Sequence, residues 1–261
     1  MARFPRFALV VWLTLPFGLG NALGDLLGSW SPRPAFSATV LAWAAWAAGI
    51  VALMTPRPAG FTYLRIATAG GIACALASVP STTVGTATLA LSSTITAGIV
   101  ALSRPVARAA ASNAAYGDEQ RFPLRSPFGL AIGPLPLAAL GVGTGTATGP
   151  LLLADGRLVS GVLACAIGFG FVFLLGRSLH SLDRRFVVLV PAGLVVVDPL
   201  AMTEPLLITR DLLANSERYD GIRSSPEMVD LRIGTTWGSV LLTMKDGVLV
   251  PIRRGRRRAE M

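Results

Sequence analysis

Residues 141–150, GVGTGTATGP, hold four glycines and three threonines. Such stretches do chemistry when their free backbone N–H groups wrap a phosphate. That use requires a strand before the loop, a helix after it and a Lys-Ser/Thr ending, and none of these is present here. Other residues able to do chemistry are few. Asp25, with Asn21 one turn earlier, Arg33, Asp155 and Arg157 lie at the ends of apolar runs; solvated loop charges with one ion pair are the preferred reading, and a polar cluster on one face is the alternative. An enzyme working through Asp25 and Asp155 would still need a base, a nucleophile or a metal ligand beside them. His180, the single histidine, stands in GRSLHSLDRR without a nucleophile at a spacing that suggests a triad. Cys74 and Cys165 sit singly in apolar runs with no CxxC pair, so neither a zinc site nor a disulfide is indicated. No catalytic, cofactor-binding or metal-binding residue is therefore assigned, and the protein is expected not to be an enzyme.

The elements that would carry these residues are membrane spans. The chain is 52% hydrophobic and only 14% charged, with a mean hydropathy of +0.62. An ordinary soluble domain carries about 25% charged residues. Residues 1–182 contain 11 Arg and 4 acids, whereas 183–261 contain 12 Lys or Arg and 10 acids, so an apolar region precedes one of soluble composition. Crossing a bilayer core of about 30 Å takes about 20 apolar residues in a helix. Six stretches qualify: 7–27, 36–54, 61–79, 82–102, 128–147 and 158–176. The fold expected is an α-helical membrane bundle of six transmembrane helices over 1–182, followed by a small antiparallel all-β cytoplasmic domain over 183–261. The first stretch also reads as a signal peptide with a small-residue cleavage pattern at Ala22, Leu23 and Gly24. Its apolar run exceeds a usual signal core, and it is taken as a span.

Arginine sets the expected orientation, because cytoplasmic loops accumulate positive charge. Arg3, Arg6, Arg57, Arg65, Arg104, Arg108, Arg121, Arg125, Arg177, Arg184 and Arg185 fall on one side, and only Arg33 and Arg157 on the other. Both termini are then cytoplasmic, in the cell's plasma membrane. The net charge of +9 lies at span ends rather than on an aromatic-studded face, which argues against nucleic acid as a partner.

Small residues dominate the spans, and small residues let helices approach closely where lipid provides no hydrophobic drive. Gly20, Gly24 and Gly28 recur every four residues, as do Ala67, Gly71 and Ala75, and Gly141, Gly145 and Gly149. The seam at 141–149 is expected to end at Pro150. Span four is hydroxyl-rich, and Thr86, Ser93 and Thr96 allow two uses: a polar path, or bonds back to the carbonyl one turn earlier that act as packing glue. Glue is the preferred reading. A path would make the protein a transporter or channel subunit for a small or lipid-like substrate.

After Asp183 come short β-branched runs. Phe186–Val190 and Leu194–Val197, joined at Pro191, Ala192 and Gly193, form a hairpin. Further strands fit 206–209, 228–233, 240–244 and 248–252, the last two joined through Asp246-Gly247. FVVLVPAGLVVVDPL after a membrane bundle and a short basic linker resembles the pleckstrin-homology-like domains on the cytoplasmic side of bacterial membrane proteins. The Arg-rich layout also resembles uncharacterised multi-pass membrane proteins of actinobacteria. The first resemblance implies a module for protein or peptide contact. It also implies a closing amphipathic helix, a role that RRGRRRAEM does not fit. Arg253, Arg254, Arg256, Arg257 and Arg258 form a run suited to anionic lipid, each basic residue contributing about 1 kcal/mol near such a surface. The expectation is a non-enzymatic integral inner-membrane protein whose β domain binds a protein partner or the membrane surface, with no cofactor.

Overall fold

A computed structural model describes residues 3–113, 115, 119–124, 128–200 and 204–209, together with the backbone of strands at 213–219, 228–235, 238–244, 249–250 and 259–260. Two compact units result: Met1–Val106 with Phe128–His180, and Ala107–Pro127 with Ser181–Met261.

The first unit holds six helices long and apolar enough to cross a membrane: Phe4–Leu27, Pro32–Met54, Pro58–Ser81, Val84–Ala101, Gly129–Ala154 and Leu158–Asp183. These are spans one to six, and the protein is a multi-pass membrane protein by their number, length and composition. Span four shows how they pack. Its buried residues are Ala87, Ala90, Thr94, Ala97, Gly98 and Ala101, a stripe at helical spacing made only of small side chains, while Val84, Leu89, Ile95 and Ile99 are exposed. Large residues outside and small ones inside invert the soluble pattern, because lipid accepts Leu and Ile as readily as a core does. Spans one, three and four meet at Ala22, Ala75 and Ala90, all fully buried, with Leu19 and Leu91 packed around them.

Span one is not a uniform helix. One wider π-type turn, Pro16–Gly20, interrupts it. Pro16 has no N–H and leaves the carbonyl four residues back, that of Trp12, without its helical donor. The indole N–H of Trp46 in span two donates to that carbonyl at 3.1 Å, and Trp12 returns its own indole N–H to Trp46 O at 3.0 Å. Gly49 makes room for the buried Trp12 ring, which a Cβ there would strike.

Span five corrects two expectations. A short helix, Phe128–Ile132, leads into its main helix, Pro134–Ala154, which does not stop near 147, and Pro150 lies inside it. A proline ring fixes φ at a helical value and removes one donor, here the one for Thr146 O, so a span can continue through it.

The second unit contains a four-stranded antiparallel sheet in the order β1-β2-β3-β4, formed by Gln120–Pro123, Phe186–Val190, Gly193–Val197 and Leu206–Thr209. The expected hairpin is β2–β3, turned by Pro191 and Ala192, with Gly193 already in the strand opposite Val190. A Cβ on Gly193 would collide with Ile208 O of β4. β1 was not foreseen: it comes from the loop between spans four and five and pairs Phe122 with Val187. One face of the sheet is core, since Val187, Leu194, Val196 and Ile208 are almost fully buried.

β5 (Leu213–Tyr219), β6 (Met228–Thr235) and β7 (Gly238–Met244) form a second sheet in the order β5-β7-β6, and β8 (Leu249–Val250) pairs with β9 (Ala259–Glu260). The expected hairpin between 240–244 and 248–252 is thus replaced. β6 and β5 each give β7 a long partner, whereas β8 has only two residues to offer. Lys245–Val248 and the run Arg253–Arg258 lie outside the described residues.

Candidate functional site

The stretch 141–150 is helical throughout, so its N–H groups serve the helix rather than a ligand. Its hydroxyls are engaged too. Thr144 donates to Leu140 O at 2.9 Å, Thr146 to Val142 O at 2.7 Å and Thr148 to Thr144 O at 2.8 Å. Gly141, Gly145 and Gly149 face span six, whereas a Cβ on Gly143 would meet nothing within 4 Å. A Cβ on Gly141 would stand 2.9 Å from Leu175, and one on Gly145 would stand 3.1 Å from both Gly168 O and Val172. A Cβ on Gly149 would run into Cys165, which packs there as a small apolar group.

Gly20 and Gly24 are placed differently. Both are exposed, and a Cβ on Gly24 would meet nothing within 4 Å. The contact belongs to Gly18, against Ser93 and Leu89 O of span four, and to Ala22. Two small-residue rows, 18/22 and 20/24/28, share this helix, and spacing alone does not tell which one meets a protein neighbour. Gly98 against Thr68, and Gly49 under Trp12, are further close approaches that no glycine repeat announces.

Among the hydroxyls of span four, Ser93 is half-buried and donates to Ala90 O at 3.1 Å. Thr94 is buried and donates to the same carbonyl at 2.6 Å. Thr86 is 3.0 Å from Thr83, the residue that caps this helix, and Thr96 is exposed. The bonds of Ser93 and Thr94 run back to a carbonyl of the same helix, and Thr86 contacts the adjacent cap.

The polar residues at the far end separate into two groups. Asp25 accepts from Thr82, linking span one to the start of span four. Asp155 accepts from Arg157 Nε at 2.8 Å and from Ser31 Oγ at 3.4 Å. Arg33 is exposed on the first turn of span two.

At the other end, His180 Nδ1 is 3.4 Å from Thr62 Oγ1. That hydroxyl donates to Pro58 O at 3.1 Å, and Thr62 is only 5% exposed. Its proton is therefore directed to a carbonyl and its oxygen is shielded, the reverse of an activated nucleophile. The two residues are 118 apart in sequence, so no spacing could have suggested the contact.

No family model, curated protein or solved structure matches the chain. Among the described residues no group of three or more His, Cys, Asp or Glu is placed to hold a metal ion.

Among the described residues the least exposed ion pair lies in the β unit. Arg185 donates to Asp198 at 2.7 Å with side-chain exposures of 18% and 7%, and Asp198 also accepts from Leu200 N at 3.1 Å. Arg121 on β1 pairs with Glu119 at 3.1 Å and lies over the Phe186 ring at 5.3 Å, while Arg108 covers Phe122 at 4.8 Å. Arginines thus clamp β1 in place by stacking on aromatic faces. Sequence reasoning read Arg108 and Arg121 only as charges marking a cytoplasmic loop.

The two sheet edges differ. β1 ends in Pro123, which cannot donate to a further strand. β4, with the sequence LLIT, pairs only with β3 among the described residues and exposes Leu207 at 47%.

Proposed function

We propose that this protein is a non-enzymatic integral inner-membrane protein whose cytoplasmic, pleckstrin-like β domain binds a protein partner or the membrane surface. The observation that carries the reading is the β4 edge: an apolar strand with an exposed leucine and an outer side unpaired among the described residues. An edge of that kind takes an added strand from a peptide, with main-chain bonds supplying affinity and alternate side chains supplying specificity. The bundle supports the reading from the other direction, since Trp12, Trp46, Ser93 and Thr94 spend their donors on its own backbone. The uneven distribution of arginine favours a cytoplasmic location for the β unit.

A photo-crosslinking amino acid at Leu207 of the full-length protein in native membranes tests this, with buried Val187 as the control position. A discrete protein adduct or a lipid adduct at 207 but not at 187 is the expected result. Absence of both kinds of adduct at 207 overturns the proposal.

A further inference from the structure

Between the start of span two and the end of span five lies an open cleft of about 400 Å³, walled by Trp30, Pro34, Leu151 and Leu152 and edged by Asp155 and Arg157. The turn that carries the edge is closely determined. Arg157 N donates to Leu152 O and Gly156 N to Leu153 O, each at 3.0 Å, the paired bonds of a Schellman ending. This ending needs a left-handed residue at the second-last position, and Gly156 takes φ +81. Arg157 O then accepts from Gly161 N at 2.8 Å as span six begins, so the arginine backbone is held from both sides.

Its side chain is oriented as well. Asp155 takes Nε at 2.8 Å, and Ser31 in turn donates to the other Asp155 oxygen at 3.4 Å. The Arg157 side chain is 67% exposed, and its two terminal amino groups have no partner among the described residues. A guanidinium held by Nε presents those two groups as a fork that fits an anionic oxygen pair. Below it runs an apolar wall at the end of two membrane spans, where a tryptophan of the interfacial kind stands.

We infer that this cleft binds a phospholipid of the surrounding leaflet, with the lipid phosphodiester on the Arg157 fork and an acyl chain along Pro34, Leu151 and Leu152. The two terminal amino groups of Arg157 select the phosphate, with the Asp155 carboxylate taken up by Arg157 Nε and Ser31. The apolar walls and the position at span ends select a membrane lipid over a soluble anion. Asp155 is a positioning residue that aims Arg157.

Native mass spectrometry of the full-length protein released from detergent with added dioleoylphosphatidylglycerol provides the test. Retention of a single phospholipid is expected, with dioleoylglycerol, which lacks phosphate, held roughly tenfold more weakly, about the worth of one charge-assisted bond. Arg157→Ala should fall to the dioleoylglycerol level and Arg157→Lys should lie between, while Arg33→Ala, on a neighbouring turn, should retain lipid like the parent. Leu152→Trp fills the cleft with Arg157 intact and should also lose the lipid, so the outcome does not depend on one variant folding. Equal retention by Arg157→Ala, equal retention of dioleoylglycerol, or displacement of the lipid by millimolar inorganic phosphate would each overturn the inference.

Discussion

At the scale of single residues, stability in this bundle depends on where a side chain is absent. Gly149 and Gly24 look alike in sequence, yet one abuts Cys165 and the other faces open space. Gly149→Leu should lower the melting temperature in detergent by several degrees, since overpacking costs about 1–3 kcal/mol; Gly24→Leu should leave it unchanged. Equal effects would show that the span five–six seam is not a close contact. The indole exchange makes a sharper prediction. Trp46→Phe leaves the Trp12 carbonyl without a donor, at a cost of about 1 kcal/mol. Pro16→Ala restores a backbone N–H that can reach the same carbonyl, so the double variant should recover most of the loss in a double-mutant cycle. Strict additivity would rule that account out. What sequence shows at this scale is chemical type. Small residues every fourth position were legible as contact surfaces, but lipid and protein neighbours are equally apolar, so the choice between Gly18 and Gly20 was not.

Elements were legible where one periodicity ran uninterrupted. All six spans, the β2–β3 hairpin and β4 emerge from apolar length and β-branched runs, because backbone satisfaction in lipid and pleated packing each leave a strong pattern. Prolines misled the boundaries: Pro150 was read as a stop and lies inside the helix, and Pro16 brings a π-type turn that strict helical spacing does not foresee. β1 was missed because Gln120–Pro123 has no apolar alternation; it is held by strand pairing and by arginine stacking on Phe122 and Phe186. The Arg185–Asp198 pair tests the sheet. Removing one partner of a buried pair costs about 3 kcal/mol, so Arg185→Ala should speed hydrogen exchange across 186–197 in the full-length protein without changing exchange in span four. Unchanged exchange at 186–197 would mean the pair contributes nothing to the sheet. Gly193→Ala should have a similar local effect through its collision with Ile208 O.

For the molecule as a whole, orientation is the property most open to direct measurement. In a background with Cys74 and Cys165 changed to Ala, single cysteines at Arg33 and Arg177 should react from opposite sides with a membrane-impermeant maleimide, Arg33 from outside intact cells and Arg177 only after lysis. The reverse pattern would invert the proposed location of the β unit. The candidate sites divide along the same lines. The β4 edge was within reach of sequence, as a strand if not as an edge, whereas the cleft at Arg157 joins residues more than 120 positions apart, and sequence marked Asp155 and Arg157 only as charges at span ends. The pairing of Phe122 with Val187 carries a last consequence, for synthesis. Residues 120–123 leave the ribosome before spans five and six, and their partner strand leaves after both. Until that helical pair is inserted, β1 has no β2 to join. Sheet closure can therefore act as a checkpoint on membrane integration: a chain that fails to integrate its last two helices should retain an accessible protease site at 120–123.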